Sequence, residues 1–421
     1  MIIKDWKRVF RSIFYFSKLF FITKKYDVVF VSSIIFNRGE NGENFLFKPM
    51  IEYCEKNGLS YIVFEDPAFG TYTKYNTNEK SIPFDFITII QIILRKIYHL
   101  KNKEPSSSDD VYFRELKLSK FVKFFFFNKF QSKIYITLIW NNVTLWRSVN
   151  PTSCIVDYQH AFIQDEEDYY MEDGRPPRLK SDNNVVALVH GDRYKRKLID
   201  NDRTGFYSEN NVKTVGINKT LNSQKKTTLN NKKILFTLEL TPDYNKEVNE
   251  TYAQIVKKII NSNADFLAAN NYEIIFRHHP RFTPYDCPDI KIEHEFVSFD
   301  NENFLPDSLN DVSLHMTFHS TSAFDAAIIG IPTIFIDMLK EMSPNEMFLK
   351  QYEYPCKNMV IKEHEDFKNI LAKIDNKETY NHSCIDVFKW SKEFYHDFDE
   401  TVFGDFLKDQ ISTYKDDTRN D

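Results

Sequence analysis

Short apolar runs alternate with stretches of helical period along most of the chain. DVVFVSS at Asp27–Ser33 reads as a buried strand, FLFKPMIEYCEKNG as a helix closed by Gly58, and LSYIVFED at Leu59–Asp66 as the next strand. CIVDYQH at Cys154–His160 follows a helix around Asn141–Val149, and VVALVHG at Val185–Gly191 precedes another at Asp192–Ile199. The run NKTLNSQKKTTLNNKK at Asn218–Lys233 is polar and aperiodic, as an interdomain linker would be. A second series then begins: KILFTLEL at Lys233–Leu240, a helix near Asn245–Asn261, YEIIFRHHP, DVSLHMTFHST at Asp311–Thr321, a helix to Ile329, and TIFID at Thr333–Asp337. Strand and helix in alternation predict an α/β protein with two parallel sheets, each covered by helices on both faces. Helices at Ile385–Tyr414 would close the fold. The predicted domains are a segment 1–25, an α/β half 26–217, a linker 218–232, a second α/β half 233–384, and closing helices 385–421. Two such halves would leave a cleft between them, and open α/β sheets bind ligands at the carboxyl ends of their strands.

With 421 residues there is enough chain for two separate cores. The 39 Phe and 23 Tyr come with abundant Lys and Asn, a pattern of nucleotide bias in the genome, so they carry no functional inference. Five cysteines, far apart and without ligand spacing, point to a reduced compartment and to no metal site. The net charge of −5 argues against a nucleic-acid partner.

Charge is nonetheless uneven. Residues 1–25 hold Lys4, Lys7, Arg8, Arg11, Lys18, Lys24 and Lys25 against the single acid Asp5, among Trp6, Phe10, Phe14, Phe20 and Phe21. KLSKFVKFFFFNKFQSK at Lys117–Lys133 repeats the pattern. Basic aromatic segments suit an anionic membrane surface, while lysines covering a buried aromatic face would give the same pattern. Arg11 and Lys18 interrupt the first apolar stretch, and no run reaches the about 18 uncharged residues of a spanning helix. The expected location is cytoplasmic, peripheral to the inner face of the membrane.

Chemistry concentrates at predicted strand ends. In FHSTSAFDAAIIGIPTIFID (Phe318–Asp337), His319, Ser320, Thr321 and Ser322 lead into a helix, whose exposed amides favour an anion. Ser322 and Asp325 could equally form a capping box. IIFRHHPRF at Ile274–Phe282 ends a strand of the same half, so Arg277, His278, His279 and Arg281 should open on the same sheet edge. Alternate strand residues face opposite ways, which assigns His279, beside Pro280, to the ligand and His278 to packing.

These motifs resemble bacterial GT-B glycosyltransferases, and in their order those of surface-polysaccharide synthesis that use CMP-activated acidic sugars such as sialic acid or Kdo. The resemblance rests on Glu172-Asp173-Gly174, His279-Pro280 and Ser320-Thr321 in that sequence, and on AFDAAIIGIPTIF, where an acid often stands at the position of Asp325. YQHAF is similar to the QHG-type motif of related enzymes, with Ala161 in place of Gly. The resemblance implies two Rossmann-like parallel-sheet domains facing each other across a cleft, and an inverting transfer from a nucleotide sugar to a glycan or glycolipid acceptor of capsule or lipopolysaccharide. It implies no cofactor and no metal: Arg277, His279, Pro280, His319, Ser320, Thr321, Ser322 and Asp325 would bind the donor, and His160, Asp173 or Glu172 would serve the acceptor. His160 as a core imidazole and Asp165–Asp168 with Glu172 and Asp173 as a solvated loop remain open readings.

Rival functions narrow by what the chain lacks. Ten scattered glycines form no Walker loop or GxGxxG, and there is no GxSxG. The DxD-like triplets Asp200-Asn201-Asp202 and Asp397-Phe398-Asp399 sit at no predicted strand end. A UDP- or GDP-hexose transferase, a CDP-polyol phosphotransferase and a catalytically silent GT-B-like scaffold are the alternatives.

Overall fold

The structure, a computed structural model, describes residues 5–37, 41–67, 78–102, 104–138, 142–160, 162–164, 170–218, 231–240, 246–279, 290, 292–302, 304–339, 343 and 345–417. Ala161, the acidic run 165–168, Pro280 and Arg281 lie outside the described residues.

The chain forms two compact units: Met1–Gly70, Tyr75–Asn218 and His396–Asp421 in the first, Thr71–Lys74 and Lys219–Tyr395 in the second. The strands of the first are β1 (Lys24–Ser33), β2 (Tyr61–Asp66), β3 (Ile82–Pro83), β4 (Phe130–Leu138), β5 (Cys154–Tyr158), β6 (Val185–Val189) and β7 (Val212–Thr214). Those of the second are β8 (Lys233–Thr237), β9 (Glu273–Arg277), β10 (Val297–Phe299), β11 (Leu314–Thr317), β12 (Thr333–Ile336) and β13 (Val360–Ile361). The sheet orders are β3-β2-β1-β4-β5-β6-β7 and β10-β9-β8-β11-β12-β13, every pairing parallel. Both are the doubly wound Rossmann order, with the direction of winding reversing between β1 and β4 and between β8 and β11. The two Rossmann-like parallel sheets expected from the alternation are therefore present.

Period-two patterning explains how the first sheet is covered. Val28 and Phe30 join Ile134, Ile136, Phe47, Met50, Phe403 and Leu407 on one face, while Val29 and Val31 join Tyr135, Phe16, Phe84, Val122 and Trp146 on the other. Much of the aromatic surplus is core: Trp146 stacks on Tyr135 at 4.8 Å and on Phe64 at 5.6 Å, and in the second unit Phe324 stacks on Trp390 at 4.7 Å.

The C-terminal helix Glu400–Asp417 covers the first unit's sheet. Its approach is fixed where Ile217 bridges Asp397, and Gly216 stands at φ +76, where a Cβ would collide with the Asp397 carbonyl oxygen. Glycine is required there both for the left-handed backbone and for the contact.

Both basic aromatic segments are built into the first unit. Asp5 caps the helix Trp6–Lys18, which buries Arg8, Val9, Ser12 and Phe16 and exposes Trp6, Phe10, Ile13 and Phe14. Lys117–Lys133 is not one helix: the helix Ser108–Val122 ends within it, a 3-10 turn spans Lys123–Phe126, and β4 starts at Phe130. Phe126 and Phe130 are buried, whereas Phe121, Phe124 and Phe127 face out.

Candidate functional site

In the second unit β9, β8 and β11 are neighbours and run the same way, so their carboxyl ends share one edge. Two residues past the ends of these strands at Arg277, Thr237 and Thr317 stand His279, Glu239 and His319. Glu239 is the buried hub. Its Oε1 accepts the Thr317 hydroxyl at 2.7 Å and the His319 backbone N–H at 2.9 Å, and its Oε2 pairs with His319 Nδ1. The Glu239 backbone N–H donates to the Tyr252 hydroxyl at 2.9 Å, which holds the chain as it leaves β8. Burial disfavours the charged His319 ring, but the charge and hydrogen bond of Glu239 outweigh it and raise the His319 pKa above the ordinary value. The pairing also directs the second ring nitrogen, Nε2, away from Glu239.

Beneath this edge lies a neutral hydroxyl network. His315 is fully buried, with Nε2 3.0 Å from the Thr237 hydroxyl and 3.2 Å from that of Ser322, and Nδ1 3.0 Å from Thr333 Oγ1. Burial pushes its pKa down to about 3, so the ring stays neutral. The Ser322 hydroxyl, also 2.9 Å from that of Thr237, thus belongs to the sheet interior.

The remaining predicted donor residues take varied positions. Arg277 is buried, with Nη1 on the Asp300 carboxylate, the Glu302 carbonyl at 2.9 Å and the Ser308 hydroxyl at 2.6 Å. This nitrogen serves the packing of β9 rather than the open edge. His278 stacks on Phe299 with centroids 5.4 Å apart, and burial lowers its pKa. His279, Ser320 and Thr321 are half-buried at the edge. The helix Ser322–Ile328 has Thr321 as N-cap with no side-chain cap, so Ser322 and Asp325 form no capping box. Its leading amides are taken locally: Ser322 N–H donates to Ser320 Oγ at 3.2 Å, and the N–H groups of Ala323 and Phe324 to the Ser320 and Thr321 carbonyls at 3.1 and 2.9 Å. Asp325 sits half-buried in the first turn.

In the first unit His160 follows β5, with its ring edge-on to Phe36 at 4.5 Å, just past the end of β1. Glu172 and Arg175 exchange backbone hydrogen bonds of 2.8 and 3.1 Å, while Asp173 and Gly174 stand at φ +52 and +68. This is a two-residue type I′ hairpin, and Asp-Gly is a favoured pair for it. Asp173 is exposed at its tip, and the Glu172 carboxylate accepts the Ser108 hydroxyl.

The DxD-like triplets have structural duties: Asp202 accepts from Thr204 and from the Tyr207 backbone N–H, and Asp399 from Thr401 and Val402 at the start of the last helix. Among the described residues no group of three His, Cys, Asp or Glu side chains is placed to hold a metal ion. Glu239 was the residue sequence reasoning missed, although its place at the end of KILFTLEL was a usable signal.

No family model and no curated protein matches the sequence. Solved structures do resemble the chain. A variant of the wall teichoic acid polymerase TagF, also solved after soaks with CDPG, is 10% identical over 99% of this chain and 100% of that one, with TM-score 0.53. A protein of Listeria monocytogenes assigned as a UDP-N-acetylglucosamine 2-epimerase is 12% identical over 93% of this chain and 98% of its own, with TM-score 0.52. S. aureus MnaA, solved with UDP, is 10% identical over 93% and 97%, with TM-score 0.52. The likeness is one of fold: the chain has the GT-B architecture of paired Rossmann-like units.

Proposed function

We propose that the protein is an inverting, metal-independent glycosyltransferase that moves a sugar from a nucleotide donor, a CMP-activated acidic sugar, to a bacterial surface-polysaccharide acceptor. The observation that carries this reading is the Glu239–His319 pair at the point where the second sheet reverses its winding, the usual ligand position in such sheets. The acceptor hydroxyl oxygen attacks the anomeric carbon, and the bond from that carbon to the phosphate oxygen breaks. The nucleotide leaves with the electron pair. A protonated His319, with His279, Ser320 and Thr321, donates to the phosphate as its charge grows, and fixed donors of this kind need no reorganisation. Arg277 and Ser322 support this edge from within, and Asp325 stands half-buried in the first turn of the helix that follows Thr321. The acceptor's proton passes to His160 or to Asp173, whose neighbour Glu172 holds the hairpin; turnover of His160→Ala against Asp173→Asn separates the two.

The CDPG-soaked TagF and UDP-bound MnaA structures make cytidine and uridine donors the first to test. In thermal unfolding with CMP, CDP, UDP and GDP, one nucleotide is expected to stabilise the wild type, by about 2.7 kcal/mol at a hundred times its Kd. His279→Ala should lose most of that stabilisation. An unresponsive wild type, or an equally responsive variant, removes the donor site.

The reading includes contact with the inner membrane face. Phe20 meets Phe127 at 5.3 Å, which joins the exposed aromatics of the first helix to Phe121 and Phe124, and Lys7, Lys18, Lys25, Lys117 and Lys120 are exposed beside them. Each basic residue near an anionic surface contributes about 1 kcal/mol. Wild type should cosediment with vesicles containing phosphatidylglycerol and less so at high salt, while Phe10→Ser/Phe14→Ser/Phe21→Ser should stay in solution. Equal binding by the triple variant excludes this face. Among the described residues no helix is long and apolar enough to cross a membrane.

A further inference from the structure

The first unit holds a cavity of about 400 Å³ that none of the residues assigned to transfer explains. It lies at the carboxyl ends of β1 and β2, reaching Ser33 and Asp66, and is walled by the helices Asp85–Lys101, Ser108–Val122 and Val143–Val149. Thr88, Gln91 and Arg95 present one face of the first of these helices to it.

Its polar groups are ordered and incompletely satisfied. Arg95 places a two-pronged hydrogen bond on Glu115, at 3.0 and 2.9 Å, and Arg114 approaches the same carboxylate at 2.8 Å. Both cations of the lining are turned to Glu115, so a phosphate or an acidic sugar would have to compete with that carboxylate for them. Asp66 takes its side-chain hydrogen bonds from neutral donors, the Thr88 hydroxyl at 3.1 Å and the Asn142 amide at 3.2 Å. Asn142 is itself held by Gln91 at 2.6 Å, in a left-handed conformation with φ +60. Thr144, 2% exposed, lines the cavity, and its buried hydroxyl has no hydrogen-bond partner among the described residues. A buried hydroxyl left unpaired is unfavourable, and a ligand group that pairs it removes that cost. Burial pushes the Asp66 pKa up to about 7, against the Thr88 hydrogen bond and the charge of Arg95, so this carboxylate lacks a full counter-ion.

We propose that this cavity binds a neutral, hydroxyl-rich unit, a sugar or a polyol, through Asp66, Gln91 and Thr144. Vicinal hydroxyls both donate and accept. They can give a hydrogen to Asp66, satisfy Thr144 and fill a space within the about 300–1,000 Å³ of small-molecule sites. The acidic hairpin touches the same wall, because Ser108, which lines the cavity, donates to Glu172. Naming the occupant as a unit of the acceptor rests on the transferase reading; binding of a neutral sugar or polyol does not.

The test is ligand-detected NMR on the full chain without nucleotide. The probes are galactose, N-acetylglucosamine, glycerol, ribitol and neutral oligosaccharides of the first two, with N-acetylneuraminic acid and inorganic phosphate as anionic counterparts. At least one neutral probe is expected to bind. Its affinity should fall tenfold or more in Asp66→Asn, in Thr144→Val and in Val111→Trp, a substitution at a partly exposed lining residue that blocks the cavity without disturbing the core. His279→Ala should bind it like wild type. Preference for oligosaccharide over monosaccharide would identify a chain end rather than a free sugar as the ligand. The proposal is overturned if no neutral probe binds, if the anionic probes bind instead, or if folded Thr144→Val and Val111→Trp both retain wild-type affinity. Because nucleotide shifts are read separately, a chain that responds to nucleotide but binds no neutral probe loses this site and keeps the donor reading; the converse result does the opposite.

Discussion

Glu239→Gln is expected to lower kcat/KM for sugar transfer by about 10²-fold or more while leaving the fold intact. Glutamine keeps the volume and one acceptor oxygen for the Thr317 hydroxyl and the His319 backbone N–H, but removes the charge that faces His319 Nδ1. Without that charge only burial acts on His319, and burial drives its pKa down. In the wild type the protonated ring is present below the raised pKa and is lost as pH climbs through it. The alkaline limb of the rate profile should therefore move to lower pH in the variant. A purely structural Glu239 would instead lower the thermal midpoint and leave the limb in place. Wild-type turnover with an unmoved limb rules out the charged dyad.

Arg8→Met is expected to destabilise the first unit by about 3–5 kcal/mol, since breaking a buried ion pair strands its partners. At about 2–4 °C per kcal/mol for a unit of this size, the thermal midpoint should fall by roughly 6–20 °C. Arg8 is buried between two carboxylates, Glu65 at 3.3 Å and Asp85 at 3.1 Å, and also donates to the Glu65 carbonyl at 3.2 Å. Burial raises the pKa of both acids against the opposing charge of Arg8, helped at Glu65 by Asn37 and Ser81. An acid whose pKa rises on folding holds its proton more tightly in the native state, so stability falls as pH climbs from the ordinary carboxylate range to the raised value. Removing Arg8 pushes that window upward. The variant should be weakest at neutral pH and recover part of its stability toward pH ~5. An unchanged midpoint at neutral pH, or further loss on acidification, would show that the arginine does not hold this triad.

How far the sequence could be read depended on the range of the interaction. Asp27–Ser33, Leu59–Asp66 and Lys233–Leu240 were recognisable because a strand buried on both faces is apolar at nearly every position. β4 was concealed, since its first residues, Phe130–Lys133, close the basic aromatic run taken as one segment. His278 packing on Phe299 followed from strand alternation. The duties of Arg277 and Ser322 did not, because Asp300, Thr237 and His315 reach them across the sheet. Glu172-Asp173-Gly174 was open to two readings, acceptor chemistry or a solvated loop, and its Asp-Gly pair carried the signal for the turn it forms.

Local pattern, which depends on side-chain period and backbone preference within a few residues, was enough to determine two parallel α/β units and to mark His279, His319, Ser320 and Thr321 at strand ends. Tertiary structure decided which groups meet. Glu239 lies 80 residues from His319, and Asp66 lies 76 from Asn142; the first pair meets because the doubly wound order sets β8 beside β11, the second because it sets β2 and β4 on either side of β1. Burial and partner then decide the ionisation: Glu239 holds the His319 pKa above its ordinary value against burial, while burial carries that of Asp66 up to about 7.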